Sequence, residues 1–310
     1  MFNDTKNQII EVIKRLNEGN SDFSFFIGPV GYTLIKTFYD NNGIDIKPDT
    51  ICFSRNTRIF LYDLGFFDIG EYCISSTKRK KILPIKTVNS QYGENIDNIS
   101  NEFYGILSEY LGVNNKQLIN NITKMIGELL NNICNHSGTP DVNDNTGEVI
   151  ISANYQSGQY FQRKNFIQIS IVDSGVGILS SVRKKVPGIN NSEDAIKKAL
   201  ECGFTGGTTL EKGSRNFSGM VNAGVGLTTT LEIIKVLGGD IFIGTKDCLY
   251  SYDGKEDKES FEKMDNWKGT FVVFNIYTDT DSDVNFDKLR IDLLGKSKND
   301  SKFEKSIDFG

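Results

Sequence analysis

The sequence predicts an α+β protein. Helical patterns come in a run, at 98–112 and 115–136, rather than alternating with single strands. Strand patterns follow: GEVIISANYQ with NFIQISIVD, which look like a hairpin, then DIFIGT and a last strand FVVFNIY. The composition, 38% hydrophobic and 24% charged, is that of an ordinary soluble globular chain.

The 310 residues suffice for one large or two modest domains. A formal charge of −5 gives no reason to expect nucleic acid as a partner. No apolar run reaches the length of a membrane span, and the opening MFNDTKNQ has no signal-peptide core, so a cytoplasmic protein without a membrane partner is expected. None of the cysteines (Cys52, Cys73, Cys134, Cys202, Cys248) forms a CxxC pair. Reduced thiols are the simplest account, and no zinc site is implied.

In chain order, residues 4–18 form an amphipathic helix, with Ile9, Ile10, Ile13 and Leu16 at helical spacing and Gly19 as its stop. A buried strand breaks at Gly28-Pro29, and Leu34 to Tyr39 follow as a helix. Ile59 to Phe67 read as strand and turn. The glycines at 28 and 31 lack the GxxxxGK[ST] spacing of a phosphate loop, and the basic run Lys78 to Lys81 reads as a solvated loop. Residues 1–95 are thus expected to be a small α/β module with a partner or sensor role. Residues 96–278 would be the functional domain, and 279–310 a charged, loose tail.

The second domain holds the chemistry. In ELLNNICNH, Glu128, Asn132 and His136 are spaced by four and project from roughly one helix face, while Leu129, Leu130 and Ile133 face the other way. The amide oxygen of Asn132 suits Mg²⁺, and Glu128 can orient or deprotonate a water. Standing alone, the stretch reads more plainly as a solvated helix face. Asp173 ends a strand and is followed by Gly175 and Gly177, which let backbone come close to a flat ligand. Its carboxylate can accept from an exocyclic amine such as that of adenine, though an ordinary DSG turn is the plainer reading. Residues 179–223 are long and glycine-rich, the profile of a lid around one short helix (Glu193 to Glu201), with Gly206-Gly207 suited to a hinge or to close phosphate approach. Gly224-Val225-Gly226-Leu227 then opens a helix whose bare N–H groups make an anion site. A charged hairpin arm at 247–268 leads to Gly269-Thr270, which enters the last strand.

E-x3-N-x3-H, DxGxG, GxGL and GT, in that order, resemble the motifs of the GHKL family of gyrase, chaperone and mismatch-repair ATPases and histidine kinases. The resemblance covers 98–278. It implies a Bergerat fold, a sandwich with helices on one face of a mixed sheet, and ATP with Mg²⁺ between helix 115–136 and the lid. By that resemblance, Asn132 holds Mg²⁺, Glu128 sits at the general-base position and His136 lies near the phosphates. Asp173 takes the adenine amine, Gly175 and Gly177 shape the base pocket, and Gly206, Gly207, Gly224, Gly226 and Leu227 line the nucleotide. Thr270 supports Asp173. The gyrase-like branch follows its nucleotide domain with a second domain that supplies a lysine, and about forty residues after Gly269 are too few for one. The one histidine, His136, is placed in the site, which argues against self-phosphorylation on histidine. The motif spacing is most similar to anti-sigma-factor serine kinases. An ATPase or serine/threonine-type kinase acting on a partner protein is therefore expected. The alternative is a nucleotide-gated interaction protein, and a homodimer is left open.

Overall fold

The structure is a computed structural model that describes residues 2–25, 28–47, 50–55, 57–58, 61, 66–67, 82–89, 96–112, 115–136, 148–156, 166–204, 226–278, 284–293 and 295. For 82–89, 96–97, 110, 133–136 and 148–156 the backbone alone is described.

The fold is α+β. Helices α1 (Phe2–Asn17) and α2 (Pro29–Asn41) come first, with a two-stranded parallel ribbon of β1 (Asp22–Phe23) and β2 (Cys52–Phe53). Strand β3 (Ile82–Asn89) is followed by helices α3 (Ile96–Leu111) and α4 (Lys116–His136), then strands β4 (Glu148–Gln156) and β5 (Phe166–Asp173). Three helices come next, α5 (Gly177–Arg183), α6 (Ser192–Leu200) and α7 (Gly226–Val236). The hairpin of β6 (Asp240–Asp253) and β7 (Lys258–Tyr277) completes the sheet, and a final helix, α8, covers 286–293. The main sheet has the order β3-β4-β5-β7-β6. The mixed sheet implied by the resemblance is replaced by one in which every neighbouring pair is antiparallel.

Side-chain alternation along the central strands divides the core in two. On one face Ile167, Ile169 and Ile171 of β5 join Val272, Phe274 and Ile276 of β7 and Ile241 and Ile243 of β6. That face is covered by α3 through Phe103 and Leu107, α4 through Ile122, Met125, Ile126 and Leu129, and α7 through Ile233 and Ile234, with Ile196 of α6 and Phe286 of α8 joining the same cluster. On the other face Val172, Phe242, Phe271 and Val273 pack against Ile9, Val12, Ile13 and Leu16 of α1 and Val30, Leu34 and Ile35 of α2. Each such aliphatic residue, once fully buried, stabilises the fold by about 1.5–3 kcal/mol. Within 98–278, helices α3, α4 and α7 thus lie on one face of the sheet, and α1 and α2, which precede that stretch, cover the other.

The second face also carries polar strand residues. Gln168, Ser170 and Asn275 are buried there, and each has partners. Ser170 Oγ lies 2.6 Å from Thr33 Oγ1 of α2, Gln168 Oε1 accepts from the N–H of Val30 at 3.4 Å, and Gln168 Nε2 donates to Asn275 Oδ1 at 3.0 Å. Thr5 of α1 accepts from both amides, at 3.3 and 3.4 Å. A buried polar group costs little when bonded and a good deal when orphaned. These contacts therefore set where α1 and α2 sit.

Two boundaries differ from the sequence expectation. Strand β3 precedes residue 95 yet pairs with β4, from Ile82↔Asn154 to Asn89↔Glu148, and α1 and α2 share the sheet's second core. Among the described residues before 95, β3, α1 and α2 thus contribute to the same sheet and core as the rest. At the other end, 284–293 is docked. Phe286 and Leu293 are buried, and Asn121 of α4 accepts from the N–H of Phe286 at 3.2 Å while donating to the carbonyl of Val284 at 2.9 Å. Gln117 donates to the same carbonyl at 3.1 Å, and Lys124 pairs with Asp287. The rest of the expected tail, and the basic run at 78–81, lie outside the described residues.

Candidate functional site

Asp173 ends β5 on the face covered by α3, α4 and α7. Directly across from it in β7 stands Thr270, and across from Thr270 in β6 stands Thr245. These three side chains form a polar row at the end of an otherwise apolar face. Thr245 Oγ1 donates to the carbonyl of Gly269 at 2.9 Å and accepts from the N–H of Ile178 at 3.1 Å, which seats the first turn of α5 on the sheet.

Two glycines make that seat possible. Gly177 has φ +76°, and a Cβ there would stand 2.7 Å from Thr245 Oγ1 and 3.0 Å from the carbonyl oxygen of Gly269. Gly269 has φ +99°, and a Cβ there would lie 2.0 Å from the carbonyl oxygen of Asp173. A side chain at either position meets both strain and collision.

Asp173 itself is 4% exposed. One carboxylate oxygen accepts from the N–H of Gly175 at 2.7 Å, and the backbone and hydroxyl of Thr270 donate as well. Burial pushes the acid up to about 6, and these hydrogen bonds only partly offset the push. The DSG turn read from the sequence is present, with three donors on the carboxylate among the described residues.

A second cluster forms where α4 meets the start of α7. A Cβ built on Gly226 would stand 2.9 Å from Glu128 Oε2 and 3.0 Å from Asn132 Nδ2. Glycine at 226 thus lets the first turn of α7 come directly against the polar stripe of α4. The amide nitrogen of Asn132 faces Gly226. Glu128 is half-buried, and its Oε1 lies 3.1 Å from Nη1 of Arg290 on α8. Burial raises the Glu128 acid above its usual range, while the guanidinium acts the other way. The first turn of α7 carries backbone N–H groups with no partner inside the helix. Thr230 donates to the carbonyl of Gly226 at 2.9 Å, and Thr228 donates to the carbonyl of Leu200 at 3.0 Å, tying α7 to α6. Leu227 packs against the core at the start of the helix.

Both clusters lie on the same side of the sheet. His136 closes α4, and its side chain lies outside the described residues, as do Gly206, Gly207 and Gly224. The described half of the expected lid, 179–204, is built structure. Leu179, Val182 and Ala195 form a small core, and Ser192 donates to Asp247 at 2.6 Å. Sequence reasoning missed Arg290 and Thr245. A basic residue in a charged tail and a threonine in a strand carry no motif of their own. Among the described residues no helix is long and apolar enough to cross a membrane. Comparison of the chain with protein-family models, curated proteins and solved structures finds no match.

Proposed function

We propose that the protein is a Mg²⁺-dependent ATP-binding regulatory protein of the GHKL class, acting in the cytoplasm as an ATPase or a serine/threonine-type kinase on a partner protein. The observation that carries this reading is Asp173, a carboxylate 4% exposed at the end of an apolar face and held by Gly175 and Thr270. A buried acceptor of this kind suits an exocyclic amine on a flat base. The first turn of α7 suits the phosphates, since its N–H groups favour an anion. Glu128 would act as the base toward a water or a hydroxyl through Oε2, the oxygen that faces Gly226. The oxygen of Asn132 is a hard donor beside a carboxylate and fits Mg²⁺, which takes its other ligands from waters and phosphate oxygens. That ion would screen the phosphates and orient them.

A second reading draws on the pairing of Glu128 with Arg290. A guanidinium on the carboxylate damps its basicity, which favours a protein that binds nucleotide to recruit a partner and turns over little. Release of ADP, measured with and without cell extract, separates the two. An enzyme releases ADP, and Glu128→Ala abolishes that release while ATP affinity persists. If ATP binds but no ADP appears under either condition, the enzyme reading fails and the gated one stands.

A further inference from the structure

The contact between Glu128 and Arg290 joins the motif helix to the last described helix. Side-chain exposure is 13% for Arg290 and 19% for Glu128, so solvent screens the pair weakly. The other Glu128 oxygen faces Gly226, the first residue of α7. A polyphosphate at that helix end would therefore approach a half-buried carboxylate at close range. Like charges that near repel strongly where water is scarce. Among the described residues Arg290 is the cation that meets the carboxylate.

Arg290 is held in place by what surrounds it. Phe286 and Leu289 of α8 pack on the core formed by α3 and α4, Asn121 and Gln117 fix the backbone at 284–286, and Cys202 donates its thiol to the carbonyl of Leu293 at 3.1 Å. The guanidinium thus arrives from a helix anchored at both ends.

We propose that Arg290 is a positioning residue of the nucleotide site: it orients Glu128 and cancels its charge, so that an anionic polyphosphate can lie beside the carboxylate at the start of α7. This rests on the ATP-binding reading. The segment 284–293 is then part of the site rather than an appendage to it.

A double-mutant cycle on the full chain tests this, with ATP and Mg²⁺ as the probe and calorimetric Kd as the readout. Arg290→Met leaves Glu128 charged and uncompensated, and should weaken ATP binding about tenfold or more. Glu128→Gln removes the charge that needs cancelling. In that background, adding Arg290→Met should change Kd by less than about threefold. Arg290→Lys keeps the charge and should retain most of the affinity, a rescue that a purely packing role does not give. An equal loss from Arg290→Met in both backgrounds overturns the proposal, because it means that the guanidinium acts on ATP and not through Glu128. Unchanged affinity in Arg290→Met overturns it too. If Arg290→Met alone does not fold, Glu128→Gln against the double variant decides by the same criterion. A parent chain that binds no ATP overturns the nucleotide reading and this proposal together. A parent that binds, with additive losses, overturns this proposal alone.

Discussion

Asp173 carries its carboxylate where water scarcely reaches, and the sequence around it shows why the chain keeps it there. Gly175 donates to it, Thr270 donates to it, and Gly269 lets the next strand pass its carbonyl. Burial raises the acid from 3.8 to about 6 in the folded chain. The fold therefore favours the protonated form. Folding gains stability from this group as pH falls from about 6 toward 3.8, and ionisation costs up to about 3 kcal/mol above that window. Asp173→Asn removes the titration. Urea unfolding of the ligand-free protein should show the variant gaining on the parent by up to about 3 kcal/mol between pH 4 and pH 7. A difference that stays flat across that range would mean Asp173 titrates as an ordinary carboxylate. A residue that costs stability in the empty protein is the kind retained for what it binds.

At the scale of elements, α4 works on two sides. Its apolar stripe fills the core, and its polar stripe touches both α7 and α8. Asn121, 1% exposed, is the hinge of the second contact, accepting from Phe286 and donating to Val284. Asn121→Ala orphans the N–H of Phe286, leaves the carbonyl of Val284 to Gln117, and should cost about 1–3 kcal/mol in urea unfolding. It should also speed hydrogen exchange across 284–293, while an unchanged exchange pattern there would show that α8 docks by its apolar residues alone. Helices α3 and α4, strand β5 and the end of β7 were legible because period and motif agree: Phe103 and Leu107 recur at helical spacing, and Ile167, Ile169 and Ile171 alternate. Helix α8 was not legible, since its sequence reads as charged tail until Asn121 and Gln117 are brought beside it. The second face of the sheet was hidden for a related reason. Gln168, Ser170 and Asn275 resemble solvent-facing positions, and only their bonds to Thr5, Val30 and Thr33 reveal that helices cover them.

Across the whole molecule, one antiparallel sheet is shared by residues on both sides of the expected boundary at 95. Strand β3 lies at the sheet edge beside β4, and α1 and α2 cover Val172, Phe242, Phe271 and Val273. A chain of residues 96–310 would leave that apolar face open to water and should be insoluble or lack a cooperative unfolding transition. A soluble, cooperatively folded fragment would restore the separate N-terminal module. This architecture puts the Asp173 row and the Glu128–Asn132–Gly226 cluster on one face, with α8 closing the far side of Glu128. The central claim is that this face binds ATP, and isothermal titration of the full chain with ATP and Mg²⁺, beside the same titration of Asp173→Asn, tests it most directly. Binding in the parent, weakened about tenfold or more in the variant as the loss of one hydrogen bond to a charged group predicts, is the outcome of this account. No heat of binding in the parent, or the same Kd in both proteins, contradicts it.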